Sequence, residues 1–191
     1  MPEIELRHTK TLAIENSSKR IFTGQNSYKF VDKFYHFAFV LLLSFVTFGA
    51  WLVILLIFKK KYYHPKIFIE GTSNSINSDL VETCLKTADY VLNTSEKPLV
   101  LINIKKKEFV LFTSQNIYYQ LLKSDKNLEI ELTRGRLNIQ QGANIKTKSN
   151  FIDNLSLMVG EEIIGSLTDG NDERVLDLLN AVSKDIREGA N

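Results

Sequence analysis

Three histidines and one cysteine are the side chains in this chain best suited to proton transfer, nucleophilic attack or metal binding. Their positions argue against all three. His8 lies in the N-terminal tail, His36 inside an apolar run and His64 beside Pro65, so no His falls within the part expected to fold as a soluble domain. Cys84 shares a helical face with Leu80, Leu85 and Ala88, where apolar neighbours raise a thiol's pKa, and it reads as a small core residue. As the single cysteine it also excludes an internal disulfide. Glu161-Glu162 is a carboxylate pair by position only, since adjacent residues of a strand point to opposite faces, and it reads better as a turn. Asp169-Gly170-Asn171-Asp172 lacks the ligand spacing of a calcium loop and fits a helix cap. The sequence has no phosphate-cradling glycine loop, no nucleophile elbow and no Cys or His pair at metal spacing. The expectation is a protein that is not an enzyme, with no catalytic residues, no cofactor and no metal site.

The remaining candidates are cationic. Lys59, Lys60, Lys61, Tyr62 and Tyr63 follow the apolar run directly, a composition suited to contact with the headgroup zone of a membrane. Lys105, Lys106 and Lys107 occupy a predicted turn between two apolar strands. A charge run in a turn is ordinarily just solvated; the functional reading is contact with a lipid or a partner. The overall charge of +2 conceals an asymmetry: residues 1 to 64 carry nine Lys/Arg against four Asp/Glu, and residues 65 to 191 carry fifteen against eighteen. The positive charge therefore sits beside the apolar run, which disfavours nucleic acid as a partner and favours an anionic lipid surface.

These side chains need elements to position them, and the dominant one is the run from Phe34 to Phe58. It holds 25 residues with no formal charge if His36 is neutral. About 20 apolar residues of helix cross a hydrocarbon core, so the run is expected in a membrane. A straight spanning helix is the simplest geometry. A re-entrant helical hairpin turning near Thr47-Phe48-Gly49 is the alternative. Lys19, Arg20, Lys29 and Lys33 precede the run within twenty residues and Lys59, Lys60, Lys61 and Lys66 follow it, a tie that leaves a single span unoriented. The triple Lys tilts the reading towards a cytoplasmic C-terminal side. The expected divisions are a flexible tail over 1–33, the transmembrane segment over 34–58, a basic juxtamembrane linker over 59–77 and a soluble domain over 78–188.

Within that domain Asp79 to Asn93 shows helical spacing, with Asn77 or Ser78 as N-cap. Short β-branched and aromatic runs follow: Leu99 to Ile104, Phe109 to Thr113, Ile117 to Leu122, Leu128 to Leu132, Leu137 to Gln140, one around Ile145, Leu155 to Val159 and Ile163 to Leu167, with Arg134-Gly135-Arg136 as a turn. Val175, Leu178, Leu179, Val182 and Ile186 then form one stripe of a closing helix over Asn171 to Glu188. The predicted class is α+β, an antiparallel β-barrel or sandwich of about seven strands with a C-terminal helix.

The stretch Glu96-Lys97-Pro98-Leu99-Val100-Leu101-Ile102, then Phe109-Val110-Leu111-Phe112-Thr113-Ser114-Gln115-Asn116-Ile117-Tyr118-Tyr119, resembles the opening of bacterial PH-like (GRAM-like) domains. Thr47-Phe48-Gly49-Ala50-Trp51 is similar to the Gly-Trp membrane segments that accompany them. That resemblance implies a membrane-anchored binding module, contacting a protein partner or anionic lipid at the cytoplasmic face of a bacterial inner membrane. Its partners would be the bilayer, a protein and further copies of the chain. The alternative is a small effector or immunity-type membrane protein acting through its transmembrane segment and oligomerisation.

Overall fold

The computed structural model describes residues 4–16, 38, 65–105, 107–124, 130–149, 155–168 and 173–189. All of the expected membrane run except Ala38, and Lys59 to His64 after it, lie outside them. Among the described residues no helix is long and apolar enough to cross a membrane.

The elements in chain order are α1 (Arg7–Asn16), β1 (Lys66–Ile69), α2 (Ser78–Thr87), β2 (Pro98–Lys105), β3 (Glu108–Thr113), β4 (Asn116–Ser124), β5 (Ile130–Asn138), a 3-10 helix (Ile139–Asn144), β6 (Ile145–Ser149), β7 (Leu155–Val159), β8 (Glu162–Thr168) and α3 (Glu173–Gly189). β1 to β5 form one antiparallel sheet in sequence order, and β6 to β8 form a second. The class is therefore α+β with two antiparallel sheets and a C-terminal helix. Among the described residues the sheets are not hydrogen-bonded into a closed barrel.

Alternation along the strands explains the layering. Val100, Ile102, Val110, Phe112, Ile117 and Leu121 face a core shared with Leu155, Leu157 and Ile164 of the second sheet and with Val175, Leu178, Leu179, Val182 and Ile186 of α3. The residues between them, Leu101, Phe109, Leu111 and Tyr118, face the other way and pack on Val81, Cys84, Leu85 and Ala88 of α2. Both faces of the large sheet are thus covered, so β3 is buried at every position and its Phe109 to Phe112 reads as an unbroken apolar run. Thr133 Oγ1 on β5 lies 3.1 Å from the Leu121 carbonyl of its own sheet and 3.0 Å from the Ile164 carbonyl of β8, pinning one sheet to the other.

Four sequence expectations are corrected. Residues 4–16, expected as part of a flexible tail, hold α1 against α3, with Ile4, Leu6 and Ala13 buried. Lys66–Ile69, expected as linker, is the edge strand of the large sheet, paired with Val100 to Asn103. Helix α2 starts on the predicted Asn77 cap but stops at Thr87, not Asn93. Asp89 takes the left-handed conformation (φ 57), and the amides of Asp89 and Tyr90 bond back to the carbonyls of Lys86 and Leu85, the double bond of a Schellman stop. Finally, Arg134-Gly135-Arg136 is the middle of β5, paired with Tyr118, Tyr119 and Gln120, and Leu137 to Gln140 is no separate strand. A Cβ at Gly135 would overlap the Tyr119 phenol, so the glycine makes room for a ring across the ladder. The stripe of α3 stands as expected, all five residues being buried.

Candidate functional site

The densest polar cluster lies where β2, β3 and β4 begin and end together. Glu96, two residues before Pro98 opens β2, is only 5% exposed. Its Oε1 accepts from Asn93 Nδ2 at 2.9 Å and from Asn116 Nδ2 at 2.9 Å, and its Oε2 accepts from Thr113 Oγ1 at 2.8 Å. The Tyr118 hydroxyl lies 3.0 and 3.1 Å from the two oxygens. Every one of these partners is a donor, which is what an acceptor-only carboxylate requires when it is removed from water. Thr113 Oγ1 also accepts from the Asn116 amide at 2.9 Å, tightening the β3–β4 turn around the same point. Burial pushes the Tyr118 hydroxyl above its ordinary pKa, and the Glu96 carboxylate adds to that. Glu96, Thr113 and Tyr118 all fall within the stretch that carries the resemblance, and the fold brings them to one point. Their arrangement closes the loops of a sheet, with both oxygens of Glu96 held by donors.

A second buried carboxylate belongs to α3. Asp185 is 1% exposed and accepts from the His8 amide at 2.9 Å, the Thr9 amide at 2.9 Å and Thr9 Oγ1 at 2.5 Å. The first-turn amides of helix α1 have no partner within the helix, and this aspartate from the far end of the chain supplies their acceptor. His8 Nε2 stands 3.2 Å from Glu188 Oε2 on the same face.

Between α1 and β1 runs a cleft lined by Lys10, Ala13 and Ile14 from the helix, Lys66 and Phe68 from the strand, and the turn Gly71 to Asn74. Lys10 reaches over Gly71, where a Cβ added to the glycine would lie 3.1 Å from the lysine Nζ. Ile14 is 72% exposed at its rim. Sequence reasoning missed this cleft because it placed both walls in unstructured segments.

Of the residues singled out from sequence, Lys59, Lys60, Lys61, Tyr62 and Tyr63 lie outside the described residues. Lys106 does too, and Lys105 is described only as the last residue of β2. Lys107 is exposed in the β2–β3 turn, and its carbonyl accepts from buried Gln120 Nε2 at 2.6 Å. Cys84 is buried, and burial pushes its thiol up to about 11. Glu161 and Glu162 are exposed at the β7–β8 turn. Among the described residues no three His, Cys, Asp or Glu side chains gather as a metal site. Comparison with family models, with curated proteins and with solved structures returns no match.

Proposed function

We propose that this chain is a membrane-tethered interaction module with no catalytic role. A PH-like unit is held at the cytoplasmic face of a bacterial inner membrane by the run over 34–58, and it presents its surface to a protein partner or to anionic lipid. What supports the PH-like reading is the order of elements: a meander in one sheet, three further strands in a second, and a C-terminal helix packed into the core between them. The binding role is supported by the use of two of the buried carboxylates, Glu96 and Asp185, as structural acceptors.

The observation that carries the tethered reading is the shortness of the connection. β1 starts at Lys66, so seven residues separate Phe58 from a strand of the folded unit. Seven extended residues reach about 25 Å at most, which keeps the sheet edge close to the headgroups. Lys59, Lys60 and Lys61 then lie where anionic lipid is encountered, each worth about 1 kcal/mol near such a surface.

The test is fractionation and capture on the full-length chain. Membranes washed with alkaline carbonate should retain the protein, and mild-detergent extraction followed by cross-linking and mass spectrometry should recover a partner bound through the folded unit. If a chain with Phe34 to Phe58 kept and the β-rich unit unfolded by a core substitution still performs its cellular role, the effector reading replaces this one. If the full chain stays folded and monodisperse in the supernatant, the tether is wrong.

A further inference from the structure

We infer that the outer edge of β5 is the docking surface for the protein partner, and that it takes an extended acidic segment added to the large sheet as a further antiparallel strand. This surface deepens the partner-binding reading above and depends on it. The large sheet has two edges, β1 and β5. The chain closes the first with its own turn. The Ile69 amide donates to the Asn74 carbonyl at 3.0 Å, the Ile69 carbonyl accepts from the Thr72 hydroxyl at 2.9 Å, and the Asn74 side-chain amide donates to the Ile67 carbonyl. Those backbone groups are the ones an added strand would need.

β5 has no such cover. It pairs with β4 without a register shift, from Asn116 with Asn138 to Ser124 with Ile130, and beyond Asn138 the Ile139 amide donates to the Gln115 carbonyl at 3.0 Å. Antiparallel pairs alternate between bonded and unbonded, so that bond sets the phase of the ladder. Thr133, Gly135 and Leu137 turn their backbone groups to β4, and Leu132, Arg134 and Arg136 turn theirs to the outer side, one donor and one acceptor each. Among the described residues no protein group meets them there.

The side chains on this edge define what the partner must carry. Leu132, Arg134 and Arg136 lie on the sheet face of Gln120 and Tyr118, opposite to the face from which Thr133 reaches the second sheet. All three are exposed, Leu132 at 41% and the Arg134 side chain at 53%. Arg134 uses only Nη1, on Asp89 and the Ala88 carbonyl, and its other guanidinium donors face solvent. Arg136 lies near the Tyr118 hydroxyl and has no ion pair among the described residues. In an antiparallel addition the residue opposite each arginine stands on the same face with its Cβ about 5 Å away, within reach of a guanidinium. Acids opposite Arg136 and Arg134 and an apolar residue opposite Leu132 give the pattern acid-x-acid-x-apolar. Charge at an edge ordinarily guards it against pairing, and here the guard is selective. A second copy of β5 centred on Arg134 would oppose that residue to itself, one centred on Gly135 would oppose Arg134 to Arg136, and one centred on Thr133 would face Arg134 with Leu132. None of the three gives an arginine a carboxylate.

The experiment follows the fluorescence anisotropy of a labelled peptide, Glu-Thr-Glu-Thr-Leu flanked by serines, on the full chain in mild detergent. Saturable binding is expected. N-methylation of the two Glu and the Leu, whose amides face β5, should abolish it, and N-methylation of the two Thr should leave it unchanged. Arg134→Glu/Arg136→Glu should weaken the peptide at least about tenfold and bind instead the twin with Lys in place of both Glu, with a urea midpoint near the parent's marking the variant as folded. No saturable binding, or the same response to both methylation patterns, overturns strand addition. A full chain that is dimeric and becomes monomeric with Arg134→Pro, whose ring removes an outward amide, assigns the edge to a second copy and overturns the acidic partner. If the peptide fails while a partner captured by cross-linking contacts another face of the folded unit, the edge is wrong and the binding module stands. If no partner is captured either, both fall.

Discussion

Glu96 is surrounded only by donors, and that dictates how its replacement must behave. Glu96→Ala leaves two side-chain amide groups and a tyrosine hydroxyl without the carboxylate they donate to, in a site 5% exposed, while the Thr113 hydroxyl keeps the Asn116 carbonyl at 2.9 Å. A loss of about 3 kcal/mol is expected in urea unfolding. Glu96→Gln keeps one acceptor oxygen but turns an NH2 group towards donors, and should cost about half as much. Equal stability of all three proteins would show that the cluster contributes nothing. Cys84 gives a prediction in pH. Its thiol rises from 9.0 to about 11 because burial disfavours the thiolate. A raised folded pKa means that the folded state holds the proton more tightly. The associated stability is complete below pH 9, falls as pH climbs towards 11, and amounts to about 2 kcal/mol when lost. Tyr118 and Tyr119 are also pushed up by burial and lose stability in the alkaline range. The contribution of Cys84 is therefore the difference between the parent and Cys84→Ala, followed by denaturant midpoints from pH 8 to 11. Identical pH profiles would show that the thiol is not buried. The burial of Cys84 was legible from its helical spacing. The assembly around Glu96 was not, because Tyr118 lies 22 residues away and only strand register brings it there.

At the scale of elements, what the sequence hid was long-range partners. The buried side of α1 includes Leu6, Thr9 and Ala13, a stripe too short and too polar to show a period, and Thr9 is at home in a core only because Asp185, 176 residues on, receives its amide and hydroxyl. Asp185→Ala should cost about 1 to 2 kcal/mol by removing a helix cap. More diagnostically, it should speed hydrogen exchange of the α1 amides while leaving β2, β3 and β4 protected. Unchanged exchange across α1 would mean that the carboxylate does not hold the helix. The mistaken turn at Arg134-Gly135-Arg136 has the same origin. Glycine between two cations is good turn chemistry, yet here it yields space to Tyr119 from the neighbouring strand. Gly135→Val should therefore destabilise by about 2 kcal/mol although valine favours strands. A stabilised variant would show that propensity, not the ring, governs this position. The end of α2 was unreadable for a local reason, since Asp89 occupies the left-handed position where glycine is the usual signal. By contrast, the stripe of α3 and the strands β2, β3 and β4 were legible, because burial fixes their periods directly.

For the molecule as a whole, the docking of α1 changes which piece can be treated as the soluble unit. Cutting the chain at residue 64 would discard Ile4, Leu6 and Ala13 from the core and leave Asp185 without its donors. Replacing residues 17–64 with a Gly/Ser linker of about 20 residues, whose ends lie on average about 25 Å apart, keeps them. Without the apolar run, residues 1–16 and 65–191 carry seventeen Lys/Arg against twenty-one Asp/Glu, a net charge of −4 that favours solubility. The linker protein should be monodisperse without detergent and unfold in one transition. The piece beginning at residue 65 should be at least about 2 kcal/mol less stable, since each buried Ile or Leu side chain contributes about 1.5 to 3 kcal/mol before the entropy of ordering the helix is subtracted. If the two proteins unfolded at the same denaturant concentration, α1 would be a bystander.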